Sequence, residues 1–176
     1  MERNSSKRVN GFTLFELLVT LAIAGLLLAI GTPAWSEWSA RARVRTTLFD
    51  LAQDIAHARR LARSHSTFIT LCARTLSRGC APTGDFSNGW LVFVNTDNDR
   101  PAVRDDLEPV LIEGRPAPGV RLEANRTFFY FAPPDRRSTN GTFTACDKTA
   151  NSHPRSLVVS YTGRGRVSDL PGGQCE

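Results

Sequence analysis

The stretch Gly11-Phe12-Thr13-Leu14-Phe15-Glu16-Leu17-Leu18 opens an apolar run that continues to Trp35. Between Phe12 and Ile30 the only charged residue is Glu16, and a short basic lead with Arg3, Lys7 and Arg8 precedes the run. About 20 residues of helix, rising ~1.5 Å each, cover the hydrocarbon core of a bilayer, so the run is long enough to span one. A carboxylate inside such a run costs roughly 3 kcal/mol at mid-membrane, so its presence points to use. A secretory signal has a shorter apolar core and ends in a small-residue site, for which Thr32-Pro33-Ala34 is a poor match. A plain single-pass anchor accounts for neither the Gly11–Phe12 junction nor Glu16. Flanking charge does not orient the run, because Arg41, Arg43 and Arg45 beyond it balance Arg3, Lys7 and Arg8 before it.

The chain has 176 residues and a net charge of +5. Residues 1–35 taken aside, about 140 remain, enough for one hydrophobic core. The C-terminal third, 119–176, carries +3 of the net charge. Four cysteines, none in CxxC spacing, and only three histidines argue against a zinc site and for disulfides in an oxidising compartment. His57 and His65 have no acidic partner at ligand spacing and receive no role.

Pro33 falls within the helical pattern and is expected to kink or loosen it. Trp35 and Trp38 suit either a membrane–water boundary or packing. From Ser39 to Ser64 the pattern is amphipathic: Val44, Leu48, Leu51, Ile55, Ala58 and Ala62 recur at spacings of three and four. Arg41, Arg45, Arg59, Arg60 and Arg63 lie largely off that stripe, as on a solvated helix face. After Ser64 the period becomes two. Thr67–Ala73, Trp90–Asn95, Pro109–Glu113, Val120–Glu123, Thr127–Phe131, Gly141–Cys146 and Ser156–Tyr161 read as strands, separated by turn signals such as Asn88-Gly89 and Asn140-Gly141. The fold class is α+β: a long N-terminal membrane-spanning helix packed on a small antiparallel β-sheet head.

Asp97, Asn98, Asp99, Asp105 and Asp106 form an acidic loop without the glycine and glutamate that an EF-hand loop requires. No P-loop, GxSxG or HExxH is present, so catalysis is not expected and no cofactor or metal is assigned.

Residues 11–17 resemble the signal of the type IV pilin and pseudopilin family: a basic leader, Gly, then Phe-Thr-Leu-x-Glu-Leu and an apolar helix. The resemblance implies a leader peptide at 1–11, a transmembrane half-helix at 12–35 and a periplasmic head at 36–176. It implies cleavage between Gly11 and Phe12 by a prepilin peptidase and N-methylation of Phe12. It also implies a role for Glu16 in assembly, facing the terminal amine of a neighbouring subunit. The expected partners are other pilins or pseudopilins and the inner membrane.

The segment Ser156–Arg166, an apolar strand followed by Gly163-Arg164-Gly165-Arg166, is similar to the C-terminal signature of the FimT/GspH subgroup. Gly89-Trp90 and the Gly141–Cys146 segment also suit that subgroup. FimT-like minor pilins are associated with DNA binding during natural transformation, and GspH-type pseudopilins with the pseudopilus tip of type II secretion. A purely structural assembly subunit is the third reading. Arginine presents a permanently charged planar fork that fits phosphate oxygens, so Arg164 and Arg166 are the expected contacts. Lys148, Arg155, Arg136 and Arg137 are near them in sequence. With few aromatics among these residues, duplex phosphate contact is expected over base stacking on single strands. Arg59 and Arg60, on the stem helix, are expected to matter less. Four cysteines allow three pairings; Cys72–Cys80 with Cys146–Cys175 is expected, the second fastening the C-terminal end to the head.

Overall fold

The computed structural model describes residues 12–77, 79–148 and 154–168. The chain divides into two compact units, one ending at Ser36 and one beginning at Glu37. Helix α1 (Leu14–Ser64) contributes to both, and Pro33 falls within it without ending it.

In the first unit Thr13 caps α1. The Glu16 amide donates to Thr13 Oγ1 at 3.2 Å, and the Leu17 amide to the Thr13 carbonyl at 3.1 Å. Thr13-Leu14-Phe15-Glu16 therefore has the sequence spacing of a capping box, of which the threonine half is formed. Leu14, Phe15, Leu18, Leu21 and Leu26 are all exposed. Among the described residues no helix is long and apolar enough to cross a membrane. The expected span, 12–35, includes residues 30–34, whose side chains lie outside the description.

In the second unit the stripe read from the sequence is the buried face of α1. Val44, Leu48, Leu51, Ile55, Ala58 and Ala62 are each at most 1% exposed. The same unit holds β1 (Phe68–Arg74), β2 (Cys80–Ala81), β3 (Trp90–Asn95), β4 (Val110–Gly114), β5 (Val120–Ala124), β6 (Phe128–Phe131), β7 (Gly141–Asp147), β8 (Arg155–Val159) and β9 (Gly165–Ser168). These strands form two antiparallel sheets rather than one. The first runs β2-β1-β3-β4 with β6 also on β1, and the second runs β5-β7-β8-β9. Pro116 and Pro118 cannot donate ladder hydrogen bonds, so the chain leaves the first sheet after Gly114 and starts the second at Val120.

Inner residues of both sheets join the helix stripe in one core, centred on Phe86, Phe129 and Phe143. The Phe129 and Phe143 rings stack at 4.4 Å, and Phe86 meets Phe143 edge-on at 5.1 Å. Trp90, 1% exposed, donates its indole N–H to Asp54 Oδ2 of α1 at 2.8 Å. Among the described residues, none before Val44 belongs to this core.

Two strands escaped the sequence reading. The first is β2, only two residues long. The second is β9: a Gly-Arg-rich segment reads as a turn, yet it pairs with β8 from Ser156↔Ser168 to Val159↔Gly165. The backbone ladder, not side-chain pattern, makes it a strand.

Candidate functional site

The β8–β9 turn is built by its own hydrogen bonds. The Gly163 amide donates to the Ser160 carbonyl at 2.8 Å, and the Ser160 amide to the Arg164 carbonyl at 3.0 Å. Gly163 has φ 71°, and a Cβ there would lie 3.2 Å from atoms of Arg59, Phe131 and Ser138. Only glycine combines that backbone with so close an approach. The Ser138 amide donates to the Tyr161 carbonyl at 2.9 Å, which ties the 132–139 loop to the turn.

Ser160 and Arg164 are bonded across the hairpin, and Val158 pairs with Arg166. Opposed residues of an antiparallel pair share a face, so Arg164 and Arg166 both stand on the exposed side with Val158. They are separated by about 6.6 Å, two residues of strand rise. Arg136 and Arg137 come to the other side of the turn, where a cavity of about 390 Å³ is lined by Arg59, Arg63, Arg136, Arg137, Tyr161 and Thr162 among others. Arg59 Nε donates to the Thr162 carbonyl at 2.7 Å. Burial lowers the pKa of Arg59, and the charges of Arg63 and Arg164 add to the effect. The guanidinium nevertheless stays charged at any physiological pH.

Four of the six predicted basic residues thus meet around one hairpin, and two do not. Arg155 begins β8 and lines a different, smaller pocket of about 230 Å³ with Trp38, Arg41 and Arg45 of α1. Lys148 follows β7 at that same end, since Ala145 pairs with Arg155. Residues 155 and 160 stand about 16 Å apart at strand rise, so nearness in sequence did not become nearness in space.

The structure adds Arg59 and Arg63, which the helix pattern assigns to a solvated face. They are four residues apart in the last turns of α1, a spacing that puts both on one side of the helix. Arg60 does not line the cavity and is exposed. Aromatic rings also come closer to arginines than sequence distance implied. Arg100 lies 4.7 Å from the Tyr130 ring centre, Arg136 5.6 Å from that of Phe68, and Arg137 6.0 Å from that of Tyr161. These rings support guanidinium groups by cation–π attraction, so their faces are occupied.

Elsewhere Cys72 and Cys80 form the expected disulfide. Cys175 lies outside the described residues, and with it the expected Cys146–Cys175 pair; Gly11 lies outside them too. In the acidic loop Asp99 accepts from the Asn95 side chain and the Val103 amide, and Glu108 from the amides of Thr96 and Asp105. Those carboxylates hold the loop itself. Among the described residues no group of His, Cys, Asp and Glu is placed to hold a metal ion.

A family model described as Type II transport protein GspH matches residues 49–163, and one described as Prokaryotic N-terminal methylation motif matches residues 6–32. The type IV major pilin protein PilE1 of Neisseria gonorrhoeae is 50% identical over 34 residues, 19% of this chain and 21% of that protein. A fimbrial protein of Neisseria meningitidis serogroup B is likewise 50% identical over 34 residues, 19% of this chain and 20% of that one. The chain spans about a fifth of the length of these curated relatives. Two crystal structures of the Pseudomonas aeruginosa type IV minor pilin FimU share the fold. One has TM-score 0.51 and 17% identity, covering 70% of this chain and 91% of the other; the second has TM-score 0.53 and 18% identity, covering 74% and 92%.

Proposed function

The chain belongs to the GspH family, among the type IV pilins and pseudopilins, and we propose that it is a FimT-like minor pilin that holds double-stranded DNA during uptake. Members of these families are membrane-anchored filament subunits, not enzymes. In this reading the prepilin enters the inner membrane by the 12–35 segment with its head in the periplasm. A prepilin peptidase removes residues 1–11, and Phe12 is methylated. The mature subunit then joins other pilins.

The observation that carries the DNA reading is that Arg164 and Arg166 stand on the exposed face of the β8–β9 hairpin while Arg136 and Arg137 flank its turn. Among the described residues none of the four is ion-paired with a carboxylate. Such a surface suits phosphate oxygens, binds without regard to base sequence, and releases counterions when it does so. The matched family region ends at Gly163, so Arg164 and Arg166 stand beyond it and their role rests on geometry. The second reading, a GspH-type pseudopilin of type II secretion, is favoured by the description of that same family match.

The test uses the full chain in uncharged detergent with duplex DNA across a salt series. Arg164→Gln with Arg166→Gln should lower affinity and flatten the salt slope by about 2, one unit for each phosphate no longer neutralised. An unchanged slope would remove these arginines from the interface. Absence of wild-type binding at low salt would favour the secretion reading.

A further inference from the structure

The 390 Å³ cavity beside the hairpin gathers more positive charge than the proposed surface requires. Arg59 and Arg63 come from α1, Arg136 and Arg137 from the loop after β6, and all four line one space. Among the described residues no carboxylate lines it, and none of the four arginines is ion-paired. Asp135 lies in the same loop but outside the lining. Four like charges around a shared space repel one another unless an anion enters between them.

Two of the four groups are also held. Arg59 is anchored by Nε to the Thr162 carbonyl, which leaves its two Nη groups to donate elsewhere. Arg137 leans on the Tyr161 ring. Guanidinium groups held by a backbone bond and a ring are preorganised, so binding an anion immobilises little more. Pro133 and Pro134 add apolar walls. A phosphate with its attached sugar fits that mixture of forks and apolar surface better than a bare carboxylate.

We infer that this cleft is a seat for one phosphate of the bound DNA backbone, so that α1, through Arg59 and Arg63, forms part of the interface. The source of the phosphate rests on the DNA reading above; the chemistry of the seat does not. The stem arginines then divide: Arg59 and Arg63 contact the ligand, and their neighbour Arg60 does not.

The experiment has two arms, both with the full chain in uncharged detergent. In the first, duplex binding is measured across a salt series for wild type, Arg63→Gln, Arg59→Gln with Arg63→Gln, and Arg60→Gln. Arg63→Gln should lower duplex affinity severalfold and the double variant more, flattening the slope by at most about 1 because Arg136 and Arg137 stay at the phosphate, while Arg60→Gln leaves both unchanged. Arg63 has no hydrogen bond to the rest of the protein among the described residues, so Arg63→Gln tests the seat without disturbing the hairpin. Equal effects from Arg60→Gln and Arg63→Gln would reduce the seat to diffuse charge and overturn it. In the second arm, pyrophosphate is titrated at fixed ionic strength while the arginine Nε–H and Gly163 amide resonances are followed. Shifts at Arg59, Arg63 and Gly163 that Arg63→Gln weakens at Arg59 and Gly163, and that Arg60→Gln leaves unchanged, support the seat even if DNA does not bind. No shift at these groups overturns it even if DNA binds through Arg164 and Arg166.

Discussion

Arg59 on α1 donates its Nε–H to the carbonyl oxygen of Thr162, 103 residues later, at 2.7 Å. That bond fixes the β8–β9 turn against the helix, and Gly163 follows immediately in a left-handed conformation. Gly163→Ala should destabilise the fold by about 1–2 kcal/mol, because the new Cβ meets Arg59, Phe131 and Ser138 at a strained φ. Urea denaturation measures the loss. Duplex affinity in the same variant should fall further than its folded fraction does, since the turn positions Arg164. Affinity that merely tracks the folded fraction would detach the turn from the site.

Arg43 and Asp147 are a second long-range pair. Arg43 Nε and Nη2 both lie 2.9 Å from Asp147 Oδ2, whose side chain is fully buried. Arg43→Ala removes a doubly bonded cation from that buried carboxylate and should cost about 3 kcal/mol. Arg43→Ala with Asp147→Ala should cost less than the sum of the single changes, measured as a double-mutant cycle.

Burial raises the pKa of Asp54 above its ordinary 3.8, although the Trp90 hydrogen bond and the His57 charge pull the other way. A carboxyl with a raised folded pKa binds its proton more tightly folded than unfolded. Its contribution is present below 3.8 and lost as pH rises through the folded value. Asp54→Asn keeps an acceptor for Trp90 and cannot ionise. Thermal melts should therefore show the Asn variant gaining on wild type as pH rises from acid to neutral. Asp85 works oppositely: burial pushes its pKa up, but the Ser87 hydroxyl and amide and the Arg121 and Lys148 charges outweigh that. Its stabilisation is lost as pH falls through its folded value, so the comparison must be made against the variant. A constant gap between the two proteins would remove Asp54 from the pH dependence.

Glu16 has two candidate roles that substitution separates. At the third position after Thr13 its side chain can reach back to the free helix start as in a capping box, and Gln can do the same. As a charged partner of a neighbouring Phe12 amine it cannot be replaced by Gln. Glu16→Gln should insert in the membrane yet fail to enter filaments, as read by fractionation and shearing. Normal incorporation of the Gln variant, with loss only in Glu16→Ala, would leave capping as its function.

Much of this protein was legible in its sequence because the signals are local. The Gly11–Glu16 junction, the three-and-four spacing from Val44 to Ala62 and seven of the nine strands depend on residues a few positions apart. The short Cys72–Cys80 loop likewise lies along one antiparallel turn of chain. What only the tertiary structure decided was which arginines meet. Arg155 is nine residues from Arg164 in sequence, yet it begins the strand whose far end leads to the Arg164 turn. Arg59 is more than a hundred residues from Thr162 and bonds to it. Strand rise carries sequence neighbours apart, and packing of α1 against the second sheet brings distant residues together. Helix periodicity told which face of α1 is buried, but not which arginines on the remaining arc would face a hairpin and which would face water.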